Sequence, residues 1–108
     1  MKAYVAGPMS GLPDLNYPAF HRAAAALRSY GLEVENPAEN PAPPCGSWLG
    51  YMRMAVCQVA RVDVVVMLPG WEQSRGARTE FQLACNMGLT VMTLDEALRK
   101  LAAEPEAA

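Results

Sequence analysis

One histidine, two phenylalanines, two tryptophans and three cysteines occur in 108 residues, and these scarcities remove whole classes of function. The lone His21 excludes a His-rich metal centre. Cys45, Cys57 and Cys85 are scattered, with no CxxC pair, and supply no thiolate set in its place. No metal or other cofactor is therefore expected. An odd cysteine count fits a reducing compartment better than a disulfide-stapled secreted fold, so a cytoplasmic location is expected. Cys57 and Cys85 fall within apolar helical patterns and are expected as buried thiols. Cys45 follows two prolines with no histidine predicted nearby, which leaves a Cys–His nucleophile without support. Cationic excess is also lacking: nine basic residues against eleven acidic ones give a formal charge of −2. A nucleic-acid polymer is a poor partner for such a chain, whereas a small phosphate needs only a few local donors. No run approaches the roughly 20 apolar residues of a membrane span, and Gly7-Pro8 interrupts the start too early for a secretion signal. Neither a membrane nor a nucleic-acid polymer is expected as partner.

What remains is the composition of a folded domain, 52% apolar and 19% charged. One domain is expected over residues 1–103, with Glu104–Ala108 as a disordered tail. KAYVA at the start reads as a buried strand running into the Gly-rich loop GPMSGLPDLN. Asn16 before Tyr17-Pro18 suits a helix cap, and Phe20, Ala23, Ala24, Leu27 and Tyr30 recur at helical spacing up to Gly31. Leu32–Glu35 gives a second strand. The Pro37–Pro44 stretch cannot form a regular element and is expected as a loop over one end of the sheet or a linker. Ser47 caps a predicted helix from Trp48 to about Arg61, with Leu49, Met52, Val56 and Val59 as its apolar face, for a core or an oligomer interface.

Val62–Leu68 has the unbroken β-branched character of a strand buried on both faces of a parallel sheet. A helix from about Ser74 to Asn86, a strand at Leu89–Thr93 and a helix at Leu94–Ala102 complete the alternation. This order predicts an α/β fold: a Rossmann-like or flavodoxin-like three-layer sandwich, four to five parallel strands with helices on both faces. Ligands of such sheets bind beyond the carboxyl ends of the strands. GPMSG follows the first strand there and PGWEQSRGA the third, so the glycine-rich and polar signals converge on one side.

GPMSGLPDLN is neither GxGxxG nor a P-loop, and its spacing suits a strand-to-helix turn as well as a ligand loop. In PGWEQSRGARTEF, Ser74 and Gly76 stand where a loop becomes a helix, and free N–H groups at such a start suit an anion. Glu80 lies four residues beyond Gly76. A carboxylate so placed can attack an anomeric carbon as it gains oxocarbenium character, or can simply be solvated. Trp71 can stack on a base or cover the loop. Arg75 can pair with a phosphate, Arg78 reads as solvated, and His21 reads as a surface or satisfied helix histidine.

YVAGPMSG together with VDVVVMLPGWEQSRGARTEFQLACNMGLTVM resembles the nucleoside 2-deoxyribosyltransferase superfamily, in particular its short DUF4406 branch of bacterial and phage proteins, over most of Lys2–Thr93. The resemblance implies Glu80 as the nucleophile that attacks C1′ of a deoxyribose. It implies Ser74 and Gly76, with Arg75 beside them, as holders of a 5′-phosphate. Tyr4, Gly7, Pro8 and Ser10 match the loop that closes over sugar and base, and Asp63 matches a recurrent acid read here as structural. The family commonly carries a second acid eight residues before Asp63, where this chain has Ala55; Asp14 or Glu72 are the available substitutes. Two readings follow. One is a deoxyribosyltransferase or deoxynucleoside 5′-monophosphate N-glycosidase; the other is a catalytically weak nucleotide-binding protein of the same fold. Both take a nucleoside or nucleotide ligand, and a homo-oligomer is expected.

Overall fold

The computed structural model describes residues 1–41 and 46–103. Expectations for Cys45 and for Glu104–Ala108 lie outside the described residues. Strand β1 (Lys2–Ala6) is followed by helix α1 (Tyr17–Ser29), strand β2 (Glu33–Glu35), helix α2 (Trp48–Val59), strand β3 (Val64–Met67), helix α3 (Arg75–Asn86), strand β4 (Thr90–Thr93) and helix α4 (Leu94–Ala103). The four strands form one wholly parallel sheet in the order β2-β1-β3-β4.

The period-two alternation of a strand divides β1 between two cores. Ala3 and Val5 pack with Phe20 and Leu27 of α1 and Ala97 of α4. Tyr4 and Ala6 face the opposite way, toward Ala55 and Val59 of α2 and Ala77 and Ala84 of α3. Val64 and Val66 join the first core, and Val65 and Met67 the second, which is why β3 reads as a continuous apolar run. The α/β sandwich with helices on both faces is thus the observed fold. No helix among the described residues is long and apolar enough to cross a membrane.

Three local expectations are corrected. The buried face of α2 is Ala55, Gln58 and Val59, while Leu49 is 58% and Val56 37% exposed. Gln58 can turn inward because Asn40 and Glu35 satisfy its amide, which leaves Leu49 and Val56 outside while Val59 stays buried and Met52 half-buried, as expected for that part of the stripe. Cys57 and Cys85, each next to a buried residue on its helix, are exposed. Asn16 does not cap α1 with its side chain. It adopts a left-handed φ of 60°, as do Asp14 and Leu15 before it, and its amide donates to the Pro8 carbonyl at 2.9 Å.

Gly7 sets how closely the ends of β1 and β3 approach. A Cβ at that position would lie 2.8 Å from the Leu68 Cβ, against two strands already joined by the Leu68 N–H to the Ala6 carbonyl. Gly7→Ala is expected to cost about 1–3 kcal/mol through overpacking, read as a lower midpoint in denaturant with an unchanged slope.

Candidate functional site

Chain reversal at the centre of the sheet builds the site. From β1 the chain runs outward to β2 and then returns to β3 on the other side, so the loops after β1 and β3 diverge and leave a crevice between them. A cleft of about 690 Å³ opens there, within the roughly 300–1,000 Å³ of small-molecule sites. Its walls come from the loops after β1 and β3, the first turns of α1, α2 and α3, and the segment after β2.

Glu80 lines this cleft from the second turn of α3. Helical side chains lean toward the helix N-terminus, so a carboxylate here points back toward the loop end rather than along the sheet. It is 5% exposed. The Tyr4 hydroxyl, from the middle of β1, donates to its Oε2, and Tyr4 is its only hydrogen-bonding partner among the described residues. Burial raises the Glu80 pKa to about 7, with the Tyr4 hydrogen bond acting in the opposite sense. Burial, then the adjacent Glu80, pushes the Tyr4 phenol well above its ordinary range, so Tyr4 stays a donor. A carboxylate with one hydrogen bond and little water retains much of its nucleophilicity once ionised. Tyr4→Phe removes the stabilising donor and is expected to move the Glu80 titration, followed by carboxyl NMR, to higher pH.

At the loop end, Ser74 caps α3 by accepting from the Ala77 N–H at 3.2 Å. The N–H groups of Arg75 and Gly76 precede it in the ladder and have no acceptor among the described residues, as at any helix start. The Arg75 guanidinium lies over the Trp48 ring, 4.0 Å from its centroid, and is the one cationic side chain lining the cleft among the described residues. A Cβ on Gly76 would stand 3.2 Å from the Met52 sulfur, so glycine lets α2 and α3 meet at this end.

Tyr4, Gly7, Pro8, Ser10, Ser74, Arg75, Gly76 and Glu80 are thus brought to one cleft. Trp71 is not: its ring stacks on Phe81 at 4.6 Å between centroids, on the outer side of the β3 loop, where it covers the protein rather than the cleft. Ala55 does line the cleft, among Trp48, Tyr51 and Met52 of the same helix, and that wall is apolar. Neither Asp14 nor Glu72 reaches it, which leaves Glu80 as the one acid lining the cleft among the described residues. Asp63 sits at the opposite end of the sheet and accepts from the Lys2 N–H at 2.8 Å, a structural tie. Arg78 is exposed and donates to the Glu72 carbonyl, and His21 is exposed beside Tyr17 and Asn36. No group of histidine, cysteine and acid side chains among the described residues could hold a metal ion.

Sequence reasoning missed Asn40, Trp48 and Tyr51 as cleft residues. A signal for Trp48 was available: the Ser47 cap fixes it in the first turn of α2, on the same side as the other loop-facing ends. Asn40 follows a Pro37–Glu39 turn capped by the Asn36 side chain, a placement set by tertiary contacts.

A family described as a domain of unknown function, DUF4406, matches residues 1–93. Among solved structures, a 2-desoxiribosyltransferase from Leishmania mexicana superposes with a TM-score of 0.67 at 18% identity, covering 85% of this chain and 62% of that one. The likeness is one of fold, and the present chain spans less than two thirds of that protein's length. No curated protein matches the chain.

Proposed function

The chain belongs to the DUF4406 family, and on that premise we propose that its cleft binds a deoxynucleoside or deoxynucleoside 5′-monophosphate and breaks the N-glycosidic bond with Glu80 as nucleophile. The observation that carries this reading is the buried Glu80–Tyr4 pair in a cleft at the switch point of the sheet. A Glu80 carboxylate oxygen forms a bond to C1′ as the C1′–N bond breaks. The bonding pair leaves with the base, which takes up a proton. Water or a second base then attacks C1′ and releases the carboxylate. The unpaired Arg75 and Gly76 N–H groups and the Arg75 guanidinium supply an anion-attracting end one helical turn away, suited to a 5′-phosphate. The similarity of fold to a 2-desoxiribosyltransferase supports a nucleoside-processing role.

The apolar wall at Ala55 favours a second reading, in which the cleft binds without turnover. With no second acid lining the cleft among the described residues, protonation of the departing base falls to solvent. Incubation of the protein with the four deoxynucleoside monophosphates, with chromatographic detection of free base, separates the two. Base release supports the enzyme; ligand-dependent thermal stabilisation with no base released supports binding alone.

A further inference from the structure

One polar network reaches the cleft without serving Glu80 or the α3 N-terminus. Asn40 lines the cleft from the segment after β2. Its Nδ2 donates to Gln58 Oε1 at 2.7 Å, and Gln58 Nε2 donates back to Asn40 Oδ1 at 3.0 Å. Gln58 Nε2 also donates to Glu35 Oε1 at 3.1 Å, and Glu35 in turn holds Arg61 at 3.1 Å and Lys2 at 3.2 Å. Gln58 is buried within α2. Asn40 itself is anchored from behind, because its N–H donates to Pro37 in a turn that Asn36 caps and that the Arg28–Glu39 ion pair ties to α1.

The chemistry of these groups sets a direction. A carboxylate flanked by Lys2 and Arg61 only accepts. Burial opposes the Glu35 charge, but hydrogen bonds from Gln58, Arg61 and Lys2 outweigh it and hold the carboxyl below its ordinary value. The Gln58 atom facing Glu35 is therefore nitrogen. That leaves Gln58 Oε1 to accept from Asn40 and a second Gln58 N–H to donate to it, so the Asn40 amide cannot invert without breaking the pair. An amide has two N–H groups and two acceptor positions, and the pairing uses one of each. One N–H and one lone pair of Asn40 remain without a partner among the described residues.

We propose that Asn40 distinguishes amino bases from oxo bases in this cleft, and that Gln58 and Glu35 act as positioning residues that fix the sense of its amide. The inference rests on the reading of the cleft as a nucleotide site. If Glu80 faces C1′ and the α3 N-terminus the phosphate, the base lies toward the remaining walls, where Asn40 is a polar side chain whose amide is held at both its nitrogen and its oxygen by another side chain. An amino base and its oxo counterpart present a donor and an acceptor at the same position, and an amide of fixed sense offers that position either its free lone pair or its free N–H but not both, so it accommodates one and rejects the other.

The test is calorimetric titration of the full chain with two matched pairs, dAMP with dIMP and dCMP with dUMP, and with deoxyribose 5-phosphate as the base-free reference. In the wild type the affinities within at least one pair are expected to differ about tenfold, the value of one hydrogen bond made or missed. Asn40→Ala and Gln58→Leu should each bring that ratio to within about twofold while leaving deoxyribose 5-phosphate affinity unchanged. Gln58→Leu is the sharper variant, since Asn40 is still present but no longer held. A purely structural role would weaken every ligand in common and leave the ratio intact. Wild-type ratios near one, or a ratio unaltered in both variants while the monophosphates still bind, would overturn this inference alone. Absence of binding by every monophosphate and by deoxyribose 5-phosphate would overturn the nucleotide reading and this inference with it.

Discussion

Glu80→Ala is expected to reduce release of free base from deoxynucleoside monophosphates by about 10³-fold or more, because it removes the one carboxylate available to bond C1′. No other acid lines the cleft among the described residues, so nothing stands ready to replace it. The measurement is initial rate of base release by wild type and variant at matched concentration, with mass spectrometry of the rapidly quenched wild type for a glycosylated peptide containing Glu80. Equal rates in the two proteins would remove Glu80 from the mechanism. A binding-only protein would give no release from either, together with ligand-induced stabilisation that survives in the variant if the α3 N-terminus carries most of the contact energy. The nucleophile must be ionised, so the rate should rise with pH through about 7 and level above it.

The same burial makes Glu80 a liability for stability, and the second large effect is expected there. The carboxyl has a pKa of about 7 in the folded protein against an ordinary 4.5. A pKa raised on folding means that the folded state binds the proton more tightly. Stability contributed by the protonated form is therefore complete below about pH 4.5 and is lost as pH rises through about 7. At about 1.4 kcal/mol per pH unit the loss is roughly 3 kcal/mol across that window. Glu80→Gln keeps the shape and stays neutral. It is expected to stabilise the protein by roughly that amount at pH 8 and by little at pH 4, measured as the difference in denaturant midpoints at the two pH values. A pH-independent difference would show that Glu80 does not titrate in this range. The residue whose removal ends the proposed chemistry is thus the one whose neutralisation strengthens the fold, a balance common at sites built for function.

The elements themselves were legible in the sequence because their signals are local. The alternation of β-branched runs with helical spacing marks the four strands and four α-helices of the described residues, and Ser47 and Ser74 read as helix starts from their neighbours alone. The placement of the β1 and β3 loops on one side of the sheet also followed, since parallel connection forces both carboxyl ends there. What could not be read depends on partners distant in sequence. The face α2 presents is decided by Asn40 and Glu35, which satisfy Gln58, and hydropathy alone favoured Leu49 and Val56. Asn16 looked like a cap by residue type, but its amide is taken by Pro8. Trp71 sits in the motif beside Ser74, yet Phe81, one position after Glu80, holds its ring away from the cleft. The link from Tyr4 to Glu80 spans 76 positions and left no trace in local pattern.

Because the free N–H groups and the Glu80 carboxylate belong to one helix, α3 works as a ruler. Four residues of rise separate Gly76 from Glu80, about 6 Å along the axis, and the backbone ladder fixes both that length and the angle between the two groups. Loop movement elsewhere in the cleft can alter what enters, but it cannot change this spacing. One residue added between the two positions would swing the carboxylate about 100° around the axis and aim it away from the cleft. Substitutions that change what the cleft admits are therefore expected in the β1 loop, the α2 wall and the segment around Asn40, with the gauge on α3 left unaltered.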